Sequence, residues 1–209
     1  DLFELVLKQR ETNRTKALIK KAGFPSPRTL EGFDYKPVTF PTVNTKDYIL
    51  SLDFMAAKEN LLMLGAVGTG KTHLATALGI KACLAGKKVA FYRTANLTNE
   101  LLERHERGQL NRLLKSLAQK DLLILDEVGY VPASKKASEL LFSLVSNSYE
   151  NQSIIITSNL ELGRWNEVFG DDRLTNALID RLIHHSHILA FTGESFRFKQ
   201  ALSKRTALP

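Results

Sequence analysis

One octapeptide restricts the architectures open to this 209-residue chain more than any other feature: "GAVGTGKT", residues 65–72. Four apolar residues, 61–64, precede it, and an apolar pattern at helical spacing, 71–85, follows. Strand, glycine-rich loop and helix in that order satisfy G-x-x-x-x-G-K-[ST] in the one context where the pattern has a physical meaning. The glycines let the backbone wrap so that N–H groups of Gly65, Ala66, Val67, Gly68, Thr69 and Gly70 point at phosphate oxygens, at the positive end of the helix dipole. Lys71 is then placed to reach the β and γ phosphates, the Thr72 hydroxyl to bind Mg2+, and His73 to pack beside the nucleotide. The competing reading is a glycine-rich turn without a ligand, but chance supplies this pattern in fewer than about one in a hundred chains of this length.

The rest of the chain alternates between two periods. Residues 88–93 read as a short strand, and helical spacing returns with Leu97, Leu101, Leu102, Leu110, Leu113, Leu114 and Leu117. Residues 122–125 form a second all-apolar run, 135–150 read as helix, 153–157 as strand, 172–183 as helix and 187–191 as a last strand. Strands alternating with helices predict a P-loop α/β fold with a parallel five-stranded sheet covered by helices on both faces. Ligands of such sheets bind at the carboxyl ends of the strands. Ahead of this body, Lys8, Arg10, Arg14, Lys16, Lys20 and Lys21 stand against Asp1, Glu4 and Glu11, which reads as a basic helix. Gly23, Pro25 and Pro27 break that pattern, so residues 1–28 are expected to be a basic helix with a linker and 29–209 the globular domain.

A phosphate loop alone does not separate a kinase from a hydrolase, and the next buried strand does. "LLILDE" ends in Asp126 and Glu127. An Asp leaving a strand beside the loop can hold Mg2+, and an adjacent Glu can polarise an attacking water, which a kinase must exclude. One strand later "SIIITSN" places Asn159 directly after an apolar run, where its amide could orient that water and sense the γ-phosphate. Asn is also a common strand terminator, the bland alternative for this residue.

This order resembles the AAA+ ATPases, with a Walker A motif at 65–72, Walker B at 122–127 and a sensor-1-like Asn159. Within that group, "GTGKTHLATALG", "DLLILDEVGY", "ITSNL", "WNEVFGDDRLTNALIDRL" and "GESFR" are similar to the IstB family, the ATP-dependent helpers of insertion-element transposases. Helicase loaders of the DnaC and DnaI type are near relatives. The resemblance covers residues from about 20 to 200 and implies ATP hydrolysis at subunit interfaces of a homo-oligomer, with an arginine from a neighbouring protomer completing each site. In "ALIDRLIHH" the best match is Arg181, with Arg173 and Arg197 as competitors. Two departures stand out: Ala66 and Val67 occupy loop positions where many relatives carry prolines, and the chain ends soon after Arg197, leaving little room for a full C-terminal lid domain.

The charge balance names a partner class. Twenty-nine Lys and Arg against 22 Asp and Glu give +7, the footprint expected of a phosphate-backbone binder. A single helix after the second strand is expected to carry Arg104, Arg107, Arg112 and Lys115, and the loop after Walker B carries Lys135 and Lys136. In an AAA+ assembly these segments commonly face the central channel, where they would hold DNA phosphates without reading bases. Aromatic residues are sparse in both segments, which favours duplex over single-strand binding. The expectation is an ATPase that oligomerises on DNA, remodels or bends it and recruits a transposase. The alternatives are a helicase loader, and a nucleotide-switched DNA-binding module that does not turn ATP over. The lone Cys83 excludes an internal disulfide, no stretch has the length and apolarity of a membrane span, and a cytoplasmic protein is expected. His184, His185 and His187 lack partners at metal-ligand spacing, and Trp165 with Phe169 reads as core packing.

Overall fold

Where the apolar runs fall along the chain decides which strands reach the centre of the sheet. The structure, a computed structural model, describes residues 2–130 and 132–196. In chain order the elements are α1 (Leu2–Ala22), β1 (Val38–Thr39), α2 (Thr45–Ser51), α3 (Asp53–Ala56), β2 (Asn60–Gly65), α4 (Lys71–Leu84), β3 (Val89–Arg93) and α5 (Thr94–Glu106). Then come α6 (Leu110–Ala118), β4 (Leu122–Val128), α7 (Lys135–Ser148), β5 (Ser153–Ser158), α8 (Asn166–Phe169), α9 (Asp172–His184) and β6 (Ser186–Phe191). The strands pair in the order β1-β6-β2-β5-β4-β3. The strands with unbroken apolar runs, β2, β5 and β4, lie inside and are shielded on both faces, as parallel strands require.

Two expectations need correcting. The sheet is six-stranded and mixed: β6, β2, β5, β4 and β3 are mutually parallel, but β1 adds antiparallel to β6 with Val38 opposite Phe191 and Thr39 opposite Ala190. A two-residue strand between Pro37 and Pro41 carries no periodicity to read, and an edge is where a proline-flanked strand is tolerated. The leucines from 97 to 117 also do not form one helix. Gly108, at φ 68°, separates α5 from α6.

The period-2 alternation of the strands divides the core. Leu61 and Met63 of β2 join Leu74, Leu78, Ile124, Ile155 and Leu189 beneath α4, whereas Leu62 joins Leu97, Leu101, Leu123, Ile154, Ile156 and Trp165 beneath α5, α7 and α9. The last turns of α1 belong to the first of these layers: Leu18, Ile19 and Ala22 pack there, and Phe24 meets Phe91 edge to face at 6.0 Å. Residues 6–14 of α1 are exposed. Among the described residues no helix is long and apolar enough to cross a membrane.

Candidate nucleotide site

The loop between β2 and α4 is held from outside by the end of β6. Gly65 has φ 144°, and a Cβ there would collide with the carbonyl oxygen of Phe191, its partner in the β2–β6 ladder. Gly68, at φ 80°, lies against the Ser195 side chain, and the Phe196 N–H donates to the Gly68 carbonyl at 2.9 Å. Ser195 and Phe196 of the "GESFR" segment therefore abut the phosphate loop. Gly65→Ala combines backbone strain with a collision against main chain, and is expected to cost about 3 kcal/mol. Thermal unfolding checks this: an unchanged midpoint would mean that the loop and β6 are not pressed together as described.

Inside the loop, the Thr69 hydroxyl donates to the Ala66 carbonyl at 2.8 Å. Lys71, only 6% exposed, donates from Nζ to the Gly65 and Ala66 carbonyls, at 2.6 Å each. Burial pushes its ammonium down to about 8, against the opposing pull of the Asp126 and Glu127 carboxylates. Gly70 supplies no side-chain cap to α4, whereas Ser134 caps α7 and Asp171 caps α9. The first N–H groups of α4 are consequently left for an acidic ligand.

The two acids stand across from the loop and face different ways. Asp126 Oδ1 accepts from the hydroxyls of Thr72 at 2.8 Å and Thr157 at 2.6 Å. Its Oδ2 is buried and has no hydrogen-bond partner among the described residues. A buried carboxylate oxygen left over beside a Thr hydroxyl is an all-oxygen donor set of the kind hard cations take, so these residues fit Mg2+. Glu127 breaks from the strand. Register shifts between Leu125 and Val128, and Glu127 adopts φ 60°, uncommon for a residue with a Cβ. This bulge leaves Asp126 buried and half-exposes Glu127, with Arg93 Nε 4.0 Å from Glu127 Oε2. Thr157 Oγ1 also accepts from the Glu127 N–H at 2.9 Å, so one hydroxyl positions both acids.

Thr72, Arg93, Glu127 and Thr157 line a cleft of about 560 Å³, a volume in the range of small-molecule sites, and Asp126 lies buried behind them. Val67, Gly68, Gly70, Lys71, Thr72, His73, Glu127 and Asn159 all line it. His73 Nε2 lies 2.9 Å from the Thr29 carbonyl, with its ring edge-on to Phe33 at 5.2 Å. Sequence reasoning missed Arg93, Thr157 and the wall built from Pro25, Arg28, Phe33 and Asp34. Pairing of Arg93 with Asp126 in the β3–β4 ladder could have exposed the first, but only once the register was known.

Other candidates lie elsewhere. Arg181 does not line this cleft, and its guanidinium sits over the Phe142 ring at 4.8 Å. Arg173 is exposed in the first turn of α9, and Arg197 lies outside the described residues. Arg104 pairs with Glu100 at 3.5 Å, Arg107 with Glu103 at 4.0 Å and Lys136 with Glu139 at 3.4 Å. Arg112, Lys115 and Lys135 make no ion pair among the described residues. Helices α5 and α7 both leave the carboxyl edge of the sheet, so Lys135 and Lys136 stand at that edge while Arg104 lies roughly 15 Å further down α5. The structure does not gather the six cations on one spot. His184, His185 and His187 cluster at the opposite edge, where His187 Nε2 is 2.8 Å from Glu59 and His184 Nδ1 is 2.9 Å from the Tyr149 hydroxyl.

Comparison with known proteins bears on this arrangement. Residues 1–204 match the model of the family described as IstB-like ATP binding protein. The chain belongs to this family. One IstB-like relative, a protein named for ATP binding in insertion sequence IS21 of Pseudomonas aeruginosa, is 42% identical over 185 residues, 87% of this chain and 69% of its own length. Another, from insertion sequence IS5376 of Geobacillus stearothermophilus, is 35% identical over 95% of this chain and 79% of its own. Among solved structures, the DnaC helicase loader superposes with TM-score 0.61 at 23% identity, over 78% of this chain and 96% of its own. AMPPCP-bound DnaA from Aquifex aeolicus gives TM-score 0.65 at 24% identity, over 89% of this chain. This IstB-like chain spans 57% of that DnaA chain. At such identities the likeness is one of fold, a P-loop α/β domain of the AAA+ type.

Proposed function

We propose that this chain is a Mg2+-dependent ATPase that assembles on duplex DNA and recruits the transposase of an insertion element. The observation that carries the reading is the division of labour at the tip of β4: Asp126 is buried and locked by two hydroxyls, while Glu127 is turned into the cleft that holds Lys71. Lys71 exchanges its two loop carbonyls for β and γ phosphate oxygens, and the α4 N-terminus holds the remaining charge. Mg2+, held by Thr72 and Asp126, would supply charge neutralisation on the phosphate oxygens. Glu127 accepts a proton from the attacking water, and Asn159 orients that water from the end of β5. Arg181 lies outside its own cleft, which is compatible with a role in a neighbouring copy's site, so hydrolysis depends on assembly.

The transposition setting rests on relatives named for insertion sequences, and the DNA partner on the net charge of +7. A second reading, a helicase loader, is favoured by the likeness to DnaC over 96% of that chain. The test is phosphate release and sedimentation of the chain with ATP, Mg2+ and either duplex or single-stranded DNA. Duplex-stimulated hydrolysis by an oligomer is expected. Tight preference for single strands would transfer the case to the loader, and hydrolysis by isolated monomers would remove the trans arginine.

A further inference from the structure

Helix α1 carries cations that the nucleotide site does not use. At 3.6 residues per turn, Arg10, Arg14 and Lys21 fall within an arc of about 40° and span about 16 Å along the helix axis. All three are exposed, and none makes an ion pair among the described residues. The face on which Leu18, Ile19 and Ala22 pack lies about 110° round the helix, and Glu4 and Glu11 fall on that packed side. Lys8 shares that side, and Lys16 and Lys20 fall on the opposite flank, so Arg10, Arg14 and Lys21 are the cations of α1 that line up with no acid among them. Arg10 and Arg14 stand at i and i+4 with like charge, a pairing that disfavours an isolated helix. In α5 and α7 the opposite holds, since Arg104, Arg107 and Lys136 each have a glutamate one turn away.

We propose that the Arg10–Arg14–Lys21 stripe grips the phosphate backbone of duplex DNA. A rigid helix projecting cations on one line suits a regular polyanion, and it carries no group arranged to read bases. The inference rests on the DNA-binding reading above and assigns that contact to an element outside the ATPase site.

The test is duplex affinity of the full chain with ATP and Mg2+ across a salt series, comparing the parent with R10Q/R14Q/K21Q and with R10K/R14K. Three lost phosphate contacts are expected to reduce the slope of log affinity against log salt by about 2.7 and to weaken binding at least roughly tenfold near 0.1 M salt. The Lys variant is expected to keep both, because each ammonium still displaces a counterion. Nucleotide binding reports that each variant is folded. Unchanged affinity and slope in the triple Gln variant overturn the assignment. So does altered self-association without DNA at unchanged DNA affinity, which would place a second copy on the stripe. If the parent itself does not bind duplex, the DNA-binding reading falls, a result distinct from failure of the stripe alone.

Discussion

Glu127→Gln is expected to lower steady-state phosphate release by about 10²- to 10⁴-fold, the range contributed by a positioned general base. Nucleotide affinity is expected to stay within about threefold, because the amide matches the carboxylate in shape and the phosphate contacts come from other residues. The backbone geometry should persist as well. The Glu127 N–H is held by Thr157 through the main chain, and glutamine meets the same steric demand at φ 60° as glutamate does. The Arg93 partner is lost, but a contact of 4.0 Å between half-exposed groups contributes little to stability. Phosphate-release assays paired with nucleotide titration separate the two effects. A rate within threefold of the parent would remove Glu127 from the chemistry and favour a nucleotide switch that does not turn over.

Lys71→Met should act on the other quantity, weakening ATP binding by about 10²-fold or more through loss of charge-assisted hydrogen bonds. Methionine retains the apolar stem and removes the buried ammonium, so the ligand-free fold should survive the change. The same residue gives a pH dependence whose sign follows from burial. Lys71 titrates near 8 in the fold, below its ordinary 10.5. Between those values the unfolded chain still holds a proton that the folded chain has released, so ligand-free stability rises with pH across that interval. A phosphate reverses the preference, since only the ammonium form contacts it. ATP affinity should therefore be flat below about pH 8 and fall above it, with a proton taken up on binding in the higher range. Calorimetry in buffers of different ionisation enthalpy measures that proton. Equal apparent enthalpies at pH 9 would show that Lys71 is already charged in the free chain.

How much of this site was legible in the sequence depended on whether its residues are neighbours in the chain. The phosphate loop and the Asp126–Glu127 pair could be read because a tight turn and a strand end each need contiguous residues of fixed type. Asn159 needed one further step, its place after the next apolar strand. Thr157 could not be read: a threonine in "SIIITSN" is an ordinary strand residue until β5 is set beside β4 and its hydroxyl meets both acids. Arg93 depends in the same way on the β3–β4 register. The connector from 23 to 44 offered only breakers, and the cleft wall it forms with Phe33 and Arg28 arises from tertiary packing. Helical charge runs left one feature unread. They identified Arg104, Arg107 and Lys136 as candidates for DNA without showing that each is already matched by a glutamate a turn away.

The left-handed backbone at Glu127 has a consequence for how such a chain would age once its reaction is no longer needed. Glycine or asparagine would occupy that conformation with less strain, so at this one position mutation toward a more relaxed backbone and loss of the carboxylate proposed to activate water run in the same direction. Asp126 offers no such route, because its buried carboxylate anchors Thr157 inside the core and Thr72 at the cleft. In silent copies of a mobile element, position 127 should therefore drift before position 126, leaving proteins that still fold and still cradle a nucleotide but have ceased to cleave it.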